Sequence, residues 1–269
     1  MKNWKVTTLI RRALTQTIED DTYWKCVHKL QLNATDEVFD AAAEQCRKRS
    51  NASRTLGANI LGQLGSPSRP YREPSLKILW SLLRAVKSPP VLDSILVAIG
   101  HLQEETDTRN IRLIVGFANH ESELVRFGVV NALLSKTDPR AIATLIRLSR
   151  DQKSDVRDWA TFGLGSMISA DSPRIRRALL ARLDDPDCDT RREAIMGLAR
   201  RKLPVIRSWL LAELQSESPT SFVFEAAIEF GDPTLLPLLE KHPNWIDDSP
   251  NSFWLGVVNS SFERLAGPD

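Results

Sequence analysis

Asp138-Pro139-Arg140-Ala141-Ile142-Ala143-Thr144-Leu145-Ile146-Arg147-Leu148, a short polar loop, then Ser154-Asp155-Val156-Arg157-Asp158-Trp159-Ala160-Thr161-Phe162-Gly163-Leu164-Gly165 is the stretch that decides the fold. Ile142, Leu145, Ile146 and Leu148 recur at helical spacing, without the alternation a strand needs. Asp138 can cap the first turn, and Pro139 at the first helical position gives up no useful donor. The loop Asp151-Gln152-Lys153 then leads into a second helix. The stretch therefore predicts two helices joined by a tight polar turn.

Working outward, the second helix recurs. With Arg54, Leu92, Arg126, Arg157, Arg191 and Val223 as reference positions, the residues three further on are Gly57, Ile95, Val129, Ala160, Ala194 and Ala226. Seven further on stand Leu61, Ile99, Leu133, Leu164, Leu198 and Phe230; eight further on stand Gly62, Gly100, Leu134, Gly165, Ala199 and Gly231. The spacings of 38, 34, 31, 34 and 32 residues are those of a repeat array, in which each unit buries its apolar face against its neighbours. The first helix recurs too, at Pro173 with Ile175, Leu179, Leu180 and Leu183, and starts again at Pro204 and Pro233. Ser172 and Asp232 repeat the capping logic of Asp138, and Gly231 suits the end of the preceding helix. The Pro-, Ser- and Arg-rich segment from Ser66 to Pro74 accounts for the longest spacing and predicts an inserted loop. Residues 1–32 and 244–266 read as helical, and Leu255, Val258 and Phe262 echo the repeat. The expected organisation is one solenoid domain over residues 1–269, with an N-terminal cap at 1–35, repeats at 36–240 and a C-terminal cap at 241–269.

These residues resemble the HEAT repeat superfamily, in particular its short bacterial branch named after the phycobilisome lyase subunits. The resemblance is closest from Thr137 through Asp155-Val156-Arg157 to Gly165. It continues from Asp184 through Asp189-Thr190-Arg191 to Gly197-Leu198-Ala199 and ends at Gly231-Asp232-Pro233. Residues 120–240 carry it strongly and 36–120 more loosely. It implies an all-α fold: a right-handed, armadillo-type α-solenoid of about six to seven helix pairs, with the second helices on the concave side. Architecture follows from such a resemblance; function does not.

Hydrophobic content of 42% and charge content of 26% suit a folded chain, and no apolar run is long enough to cross a membrane. With no signal-peptide pattern at Met1-Lys2-Asn3-Trp4-Lys5-Val6, a cytoplasmic location is expected. Cys26, Cys46 and Cys188 are odd in number and far apart, which predicts reduced thiols and neither a disulfide framework nor a zinc site. The net charge of +2 conceals an asymmetry. Residues 140–207 carry 15 Lys and Arg against 9 Asp and Glu, and residues 208–269 carry 2 against 10.

The residues offer little for catalysis. Deoxyhypusine hydroxylases, which resemble this fold, hold two irons with several His-Glu pairs at helix starts. Here there is one, His120-Glu121, and the matching positions hold Asp151-Gln152 and Asp185-Pro186. None of His28, His101, His120 and His242 has a ligand or nucleophile–base spacing, and Gly163-Leu164-Gly165 lies within the repeat and forms no phosphate loop. Neither a cofactor nor a metal is expected. The HEAT-like alkylpurine glycosylases bind DNA on a basic face with aromatics. Arg157, Trp159, Arg191 and Arg192 would suit that, whereas Asp158, Glu193, Glu225 and the acidic C-terminal segment oppose it.

On a helical wheel, the positions one before and three and seven after the reference make the packed face. The next two residues after each reference, Phe127, Asp158, Trp159, Arg192, Glu193, Phe224 and Glu225 among them, are the expected partner-binding stripe of aromatics framed by charge. Arg126, Arg157 and Arg191, with Asp155 and Asp189 nearby, predict a structural ladder between repeats. The leading expectation is a non-enzymatic scaffold or adaptor holding a protein partner, with no membrane contact. The alternatives are a nucleic-acid-binding or repair module, a chaperone or lyase-like assembly subunit, and an inhibitor or immunity partner of an enzyme or toxin.

Overall fold

A computed structural model describes residues 5–105, 107–217, 219–239 and 241. Apart from Lys241, the expected C-terminal cap, with Leu255, Val258 and Phe262, lies outside the described residues, as does His242. Among the described residues all regular structure is helical and no strand occurs, as in an α-solenoid built from helix pairs.

The chain divides into two compact units, Met1–Gly163 and Leu164–Asp269. In the first, α1 (Val6–Leu14) packs on α2 (Asp21–Leu32), and α3 (Asp36–Arg47) on α4 (Asn51–Gln63). Then α5 (Arg72–Ala85) packs on α6 (Pro89–Leu102), α7 (Ile111–Gly116) on α8 (Glu123–Leu133), and α9 (Pro139–Leu148) on α10 (Ser154–Phe162). The second helices also stack in series, α2 on α4, α4 on α6, α6 on α8 and α8 on α10. A π-helical turn, Gly163–Met167, follows α10. In the second unit α11 (Pro173–Leu180) packs on α12 (Cys188–Arg200), α13 (Val205–Leu214) on α14 (Ser221–Phe230), and α12 on α14. A 3-10 turn, Pro233–Leu235, and the short α15 (Leu236–Leu239) end the described part.

Local chemistry starts and stops these helices as expected. Asp138 accepts from the Arg140 N–H, Ser172 from Ile175 and Asp232 from Thr234. Gly231 closes α14 in the left-handed region at φ 66°, where a side chain would be strained. The inserted loop is shorter than Ser66 to Pro74, because Arg72, Glu73 and Pro74 already open α5. Arg72 there donates through Nε to the Leu102 carbonyl at 2.6 Å, anchoring the helix start to the end of α6.

The core is the predicted face. Val91, Val125, Val156, Ile95, Val129, Ala160, Ala194, Leu61, Ile99, Leu133, Leu164 and Leu198 are all buried. Each buried Val, Leu or Ile contributes about 1.5–3 kcal/mol relative to an exposed one. The glycines eight after the reference have a different role. A Cβ on Gly100 would lie 2.5 Å from the Asn131 carbonyl oxygen of α8. One on Gly62 would lie 2.8 Å from Ala98 Cβ of α6, and one on Gly165 would lie 2.7 Å from the Glu193 carbonyl oxygen and 3.2 Å from Gly197 Cα. In each case, the eighth residue meets the backbone of the following second helix five or six residues after its reference or, at Gly165, two and six after. Where Leu134 holds the eighth position, the sizes are exchanged: the residue facing it, just after α10, is Gly163, whose Cβ would lie 3.0 Å from Leu134 Cδ2.

Cations ten residues after the reference add a second tie. Lys136, fully buried, donates through Nζ to the Gln103 carbonyl at 3.0 Å and the Glu104 carbonyl at 2.7 Å, just beyond the end of α6. Burial pushes its pKa down to about 8. In the second unit Arg201 takes the same position and donates to the carbonyls of Leu164, Gly165, Ile168 and Ala170. Carbonyls that a helix end leaves without amide partners are thus satisfied by the next repeat.

The glycine contacts give opposite expectations for two like substitutions. Gly100→Ala should destabilise by about 1–2 kcal/mol, because a backbone oxygen cannot turn aside and the clash outweighs the helix-propensity gain. Gly163→Ala meets a flexible leucine side chain and should be near neutral. Denaturant unfolding of the two variants checks the contrast; equal costs would mean that the close backbone approach at Gly100 is not what selects glycine.

Candidate functional site

The reference arginines are positioned by the loops before them. Arg126 donates through Nη1 to the carbonyls of His120 and Glu121, both at 2.9 Å. Arg157 does the same to Asp151 (2.9 Å) and Gln152 (3.1 Å), and Arg191 to Asp185. The residue six before each reference also folds its own loop. Asp151 accepts from the Lys153 N–H at 3.0 Å, Asp185 from the Asp187 N–H at 3.1 Å, and His120 Nδ1 from the Ser122 N–H at 3.1 Å. His120 is therefore the imidazole counterpart of the aspartates, holding a turn. Among the described residues no three His, Cys, Asp or Glu side chains converge as a metal site would require.

The rung between repeats uses different carboxylates from those expected. Arg126 forms a bidentate pair with Asp151, Nε to Oδ2 at 2.7 Å and Nη2 to Oδ1 at 2.9 Å. Asp155 instead accepts from the Ser154 hydroxyl at the exposed start of α10. Asp189 pairs with Arg192 on its own helix at 3.1 Å. The reason is angular: two residues before the reference lies about 200° round the helix, on the far side from the arginine. Nor do these aspartates cap. Asp187 caps α12 by accepting from the Thr190 N–H at 2.8 Å, and Lys153 precedes α10 without a side-chain cap. Burial pushes the Asp151 carboxyl up, yet the Arg126 and Lys153 hydrogen bonds and the charges of Arg126 and Arg157 hold it below the usual range.

The residues expected to form a partner-binding stripe are only partly exposed. Phe224 is 1% exposed; it packs inside α14's surroundings and is no surface anchor, which corrects that assignment. Arg192 is exposed and engaged with Asp189, and Glu193 is half-buried, accepting from the Ser166 hydroxyl at 3.1 Å. Burial raises the pKa of both Glu193 and Glu225. Asp158 and Phe127 are half-buried. Trp159 stands 38% exposed between two edge-on rings, Phe127 at 5.8 Å and Phe162 at 5.7 Å.

Phe162 was missed because the stripe does not run along the first and second positions after the reference. It follows the first, fifth and ninth, with Trp159 standing beside it at the second. Thr55, Asn59 and Gln63 of α4, Asp93, Val97 and His101 of α6, and Phe127 and Asn131 of α8 with Ser135 just beyond its end are half-buried or exposed. Steps of four turn only about 40° further round a helix, so the wheel contained this signal. Gly128, second after its reference, is instead buried against Asp93 of the neighbouring helix. Burial there pushes the Asp93 carboxyl up to about 7, and among the described residues its Oδ1 has no hydrogen-bond partner. At the ninth position His101 lies 3.4 Å from Gln63 Nε2, its pKa lowered by burial and by the charge of Arg69.

Residues 76–165 match the family model of HEAT repeats. It is 28% identical over 255 residues to protein YibA of Escherichia coli K12, covering 88% of this chain and 82% of YibA. The YibA of Escherichia coli O157:H7 gives the same figures. The X-ray structure of Escherichia coli YibA superimposes with a TM-score of 0.65 at 25% identity, covering 98% of both chains.

Two measurements test the geometry of the site. Arg126→Met should cost about 2–4 kcal/mol, since it leaves a mostly buried carboxylate unpaired, whereas Arg192→Met on its exposed pair should cost less than about 1 kcal/mol. Because the Asp151 pKa is depressed in the folded state, its contribution is present above the unfolded carboxylate range and lost as pH falls through the folded value. Acid unfolding should therefore be less steep in Arg126→Met. Asp93 runs the other way: with a folded pKa raised to about 7, its contribution is fully present below about pH 4 and declines as pH rises to about 7. Asp93→Asn should gain roughly 1–2 kcal/mol at pH 8 and little at pH 4. A gain independent of pH, read from unfolding curves at both values, would refute the assignment.

Proposed function

We propose that this chain is a non-enzymatic scaffold or adaptor whose protein partner is held on the outward stripe of the second helices, centred on Phe127, Trp159 and Phe162. The observation that carries this reading is the exposure of Trp159 within a cluster of edge-on rings. Such rings are held rigid before binding, so an indole there loses little conformational freedom when covered. Polar neighbours on the same stripe, Asn131 and Ser135, supply the rim that such anchors need.

Nucleic acid is less well supported. Arginines in the basic segment are engaged by local carboxylates: Arg140 by Asp138, Arg176 by Asp171, Arg182 by Asp185 and Arg207 by Asp232. Phosphate binding draws on cations able to release counterions, and these are already paired. The absence of a catalytic reading rests on the donor chemistry. The cleft of ≈ 400 Å³ beside the loops of α8 and α10 contains Asp151, which already holds Arg126. Whether the partner is assembled, inhibited or scaffolded follows from its identity.

A photo-crosslinker at Asn131 should capture a defined protein partner in cell extract, while one at Arg112, exposed on α7, should not. Trp159→Ala should weaken that complex about 10- to 100-fold and cost less than about 2 kcal/mol of stability. Unchanged binding, or a stability loss of ~3 kcal/mol or more as for a core aromatic, would move the site elsewhere.

A further inference from the structure

Arg54 breaks the pattern set by the other reference arginines. Six residues before it stands Lys48, and six before the next reference, where Asp151 serves Arg126, stands Val86. The loop acid and the rung acid are both missing. Among the described residues the Arg54 side chain makes no hydrogen bond or ion pair, and its Nε is buried without a partner. A buried guanidinium donor without an acceptor costs free energy, so the position is unfavourable unless an acceptor comes from outside.

Arg54 lines a cleft of ≈ 610 Å³ formed by α3, α4 and α5, a size suited to a short ligand segment. One wall is apolar, with Phe39, Ile78 and Leu82. Phe39 is fixed by stacking on Tyr71 at 4.9 Å, and the Tyr71 hydroxyl donates to Asp36 at 2.7 Å. The other lining charges, Lys77 and Arg47, are also positive, and no carboxylate lines the cleft. Lys77 and Ser81 at its mouth are exposed, so a chain lying in it keeps one edge in water.

We propose that this cleft binds an extended peptide segment of a partner protein, with a carboxylate on Arg54 and an adjacent apolar side chain against Phe39, Ile78 and Leu82. The missing acid of the repeat is supplied by the partner. An open mouth suits a peptide, whose backbone stays hydrated, better than a fatty acid, whose whole chain needs cover. An apolar wall suits it better than a polyphosphate. The surface is separate from the second-helix stripe, so loss of binding through Trp159 leaves this inference untouched.

The test uses the full chain and the peptide acetyl-Leu-Glu-Leu-amide, followed by amide chemical shifts. Saturable shifts should map to α3, α4 and α5, and acetyl-Leu-Gln-Leu-amide should bind about tenfold more weakly or worse. Arg54→Met should lose the difference between the two peptides while keeping its Tm within about 1–2 °C of the parent or above it. Ser81→Glu, at an exposed position, should weaken the acidic peptide alone. Equal binding of both peptides by the parent chain, or tighter binding of octanoate or inorganic phosphate than of the peptide, would overturn the proposal. So would a Tm loss in Arg54→Met comparable to that of Arg126→Met, since Arg54 would then be structural.

Discussion

The rest of the structure depends on the close approach of consecutive second helices. Where Gly100 meets the Asn131 carbonyl, or Gly165 meets Gly197, helix backbones touch with no side chain between them. Only a glycine allows this, and the exchange of sizes at Leu134 and Gly163 shows that the pair is constrained, not either position alone. Closeness at this crossing sets everything that reaches from one repeat to the next. It brings Lys136 to the carbonyls beyond α6 and Arg126 to Asp151, contacts of 2.7–3.0 Å that a wider spacing would open. The small residues thus act through geometry, and the polar ties follow from it.

Those ties explain why a strongly charged chain can stack without a large net field. Each helix end leaves backbone groups without partners, and each turn between helices leaves more. The repeat answers with side chains at fixed offsets: a guanidinium over the loop carbonyls, an Asp or His folding the loop, a cation over the previous helix end. Much of the basic content of residues 140–207 is consumed in this way, as with Arg201 and its four carbonyls in the sequence segment 164–170. A segment with an excess of arginine therefore need not present a basic surface.

Periodicity made the helix pairs, their caps and the core face legible, because burial and capping act through residue type at a fixed spacing. Ile95, Val129 and Ala160 could be placed in the core before any coordinates. Side-chain partners were less legible. Asp155 and Asp151 are both aspartates close to Arg157 in sequence, and only the turn geometry selects Asp151 for the rung. The stripe was half legible for a similar reason. Phe127, Asp158 and Trp159 do reach the surface, Phe162 beside Trp159 was not read from the wheel, and Phe224 is buried because burial at that position depends on what lies beside α14. The cations at Lys136 and Arg201 were overlooked entirely, though their common offset of ten from Arg126 and Arg191 was there to be read.

In a repeat array, the informative residues are those that break the rule without structural compensation. Leu134 breaks the glycine rule and is compensated by Gly163; His120 breaks the aspartate rule and still accepts the same loop amide. Neither needs a functional reason. Arg54 keeps the reference cation and loses both of its acceptors, and Trp159 places a large apolar ring where the corresponding position of α8 is the buried Gly128. Local consistency fails at these two places and nothing within the described fold restores it. A stack optimised only for stability would replace Arg54 by an apolar residue and Trp159 by a smaller one. Their departure from the repeat is the physical ground for assigning both to contacts outside the chain.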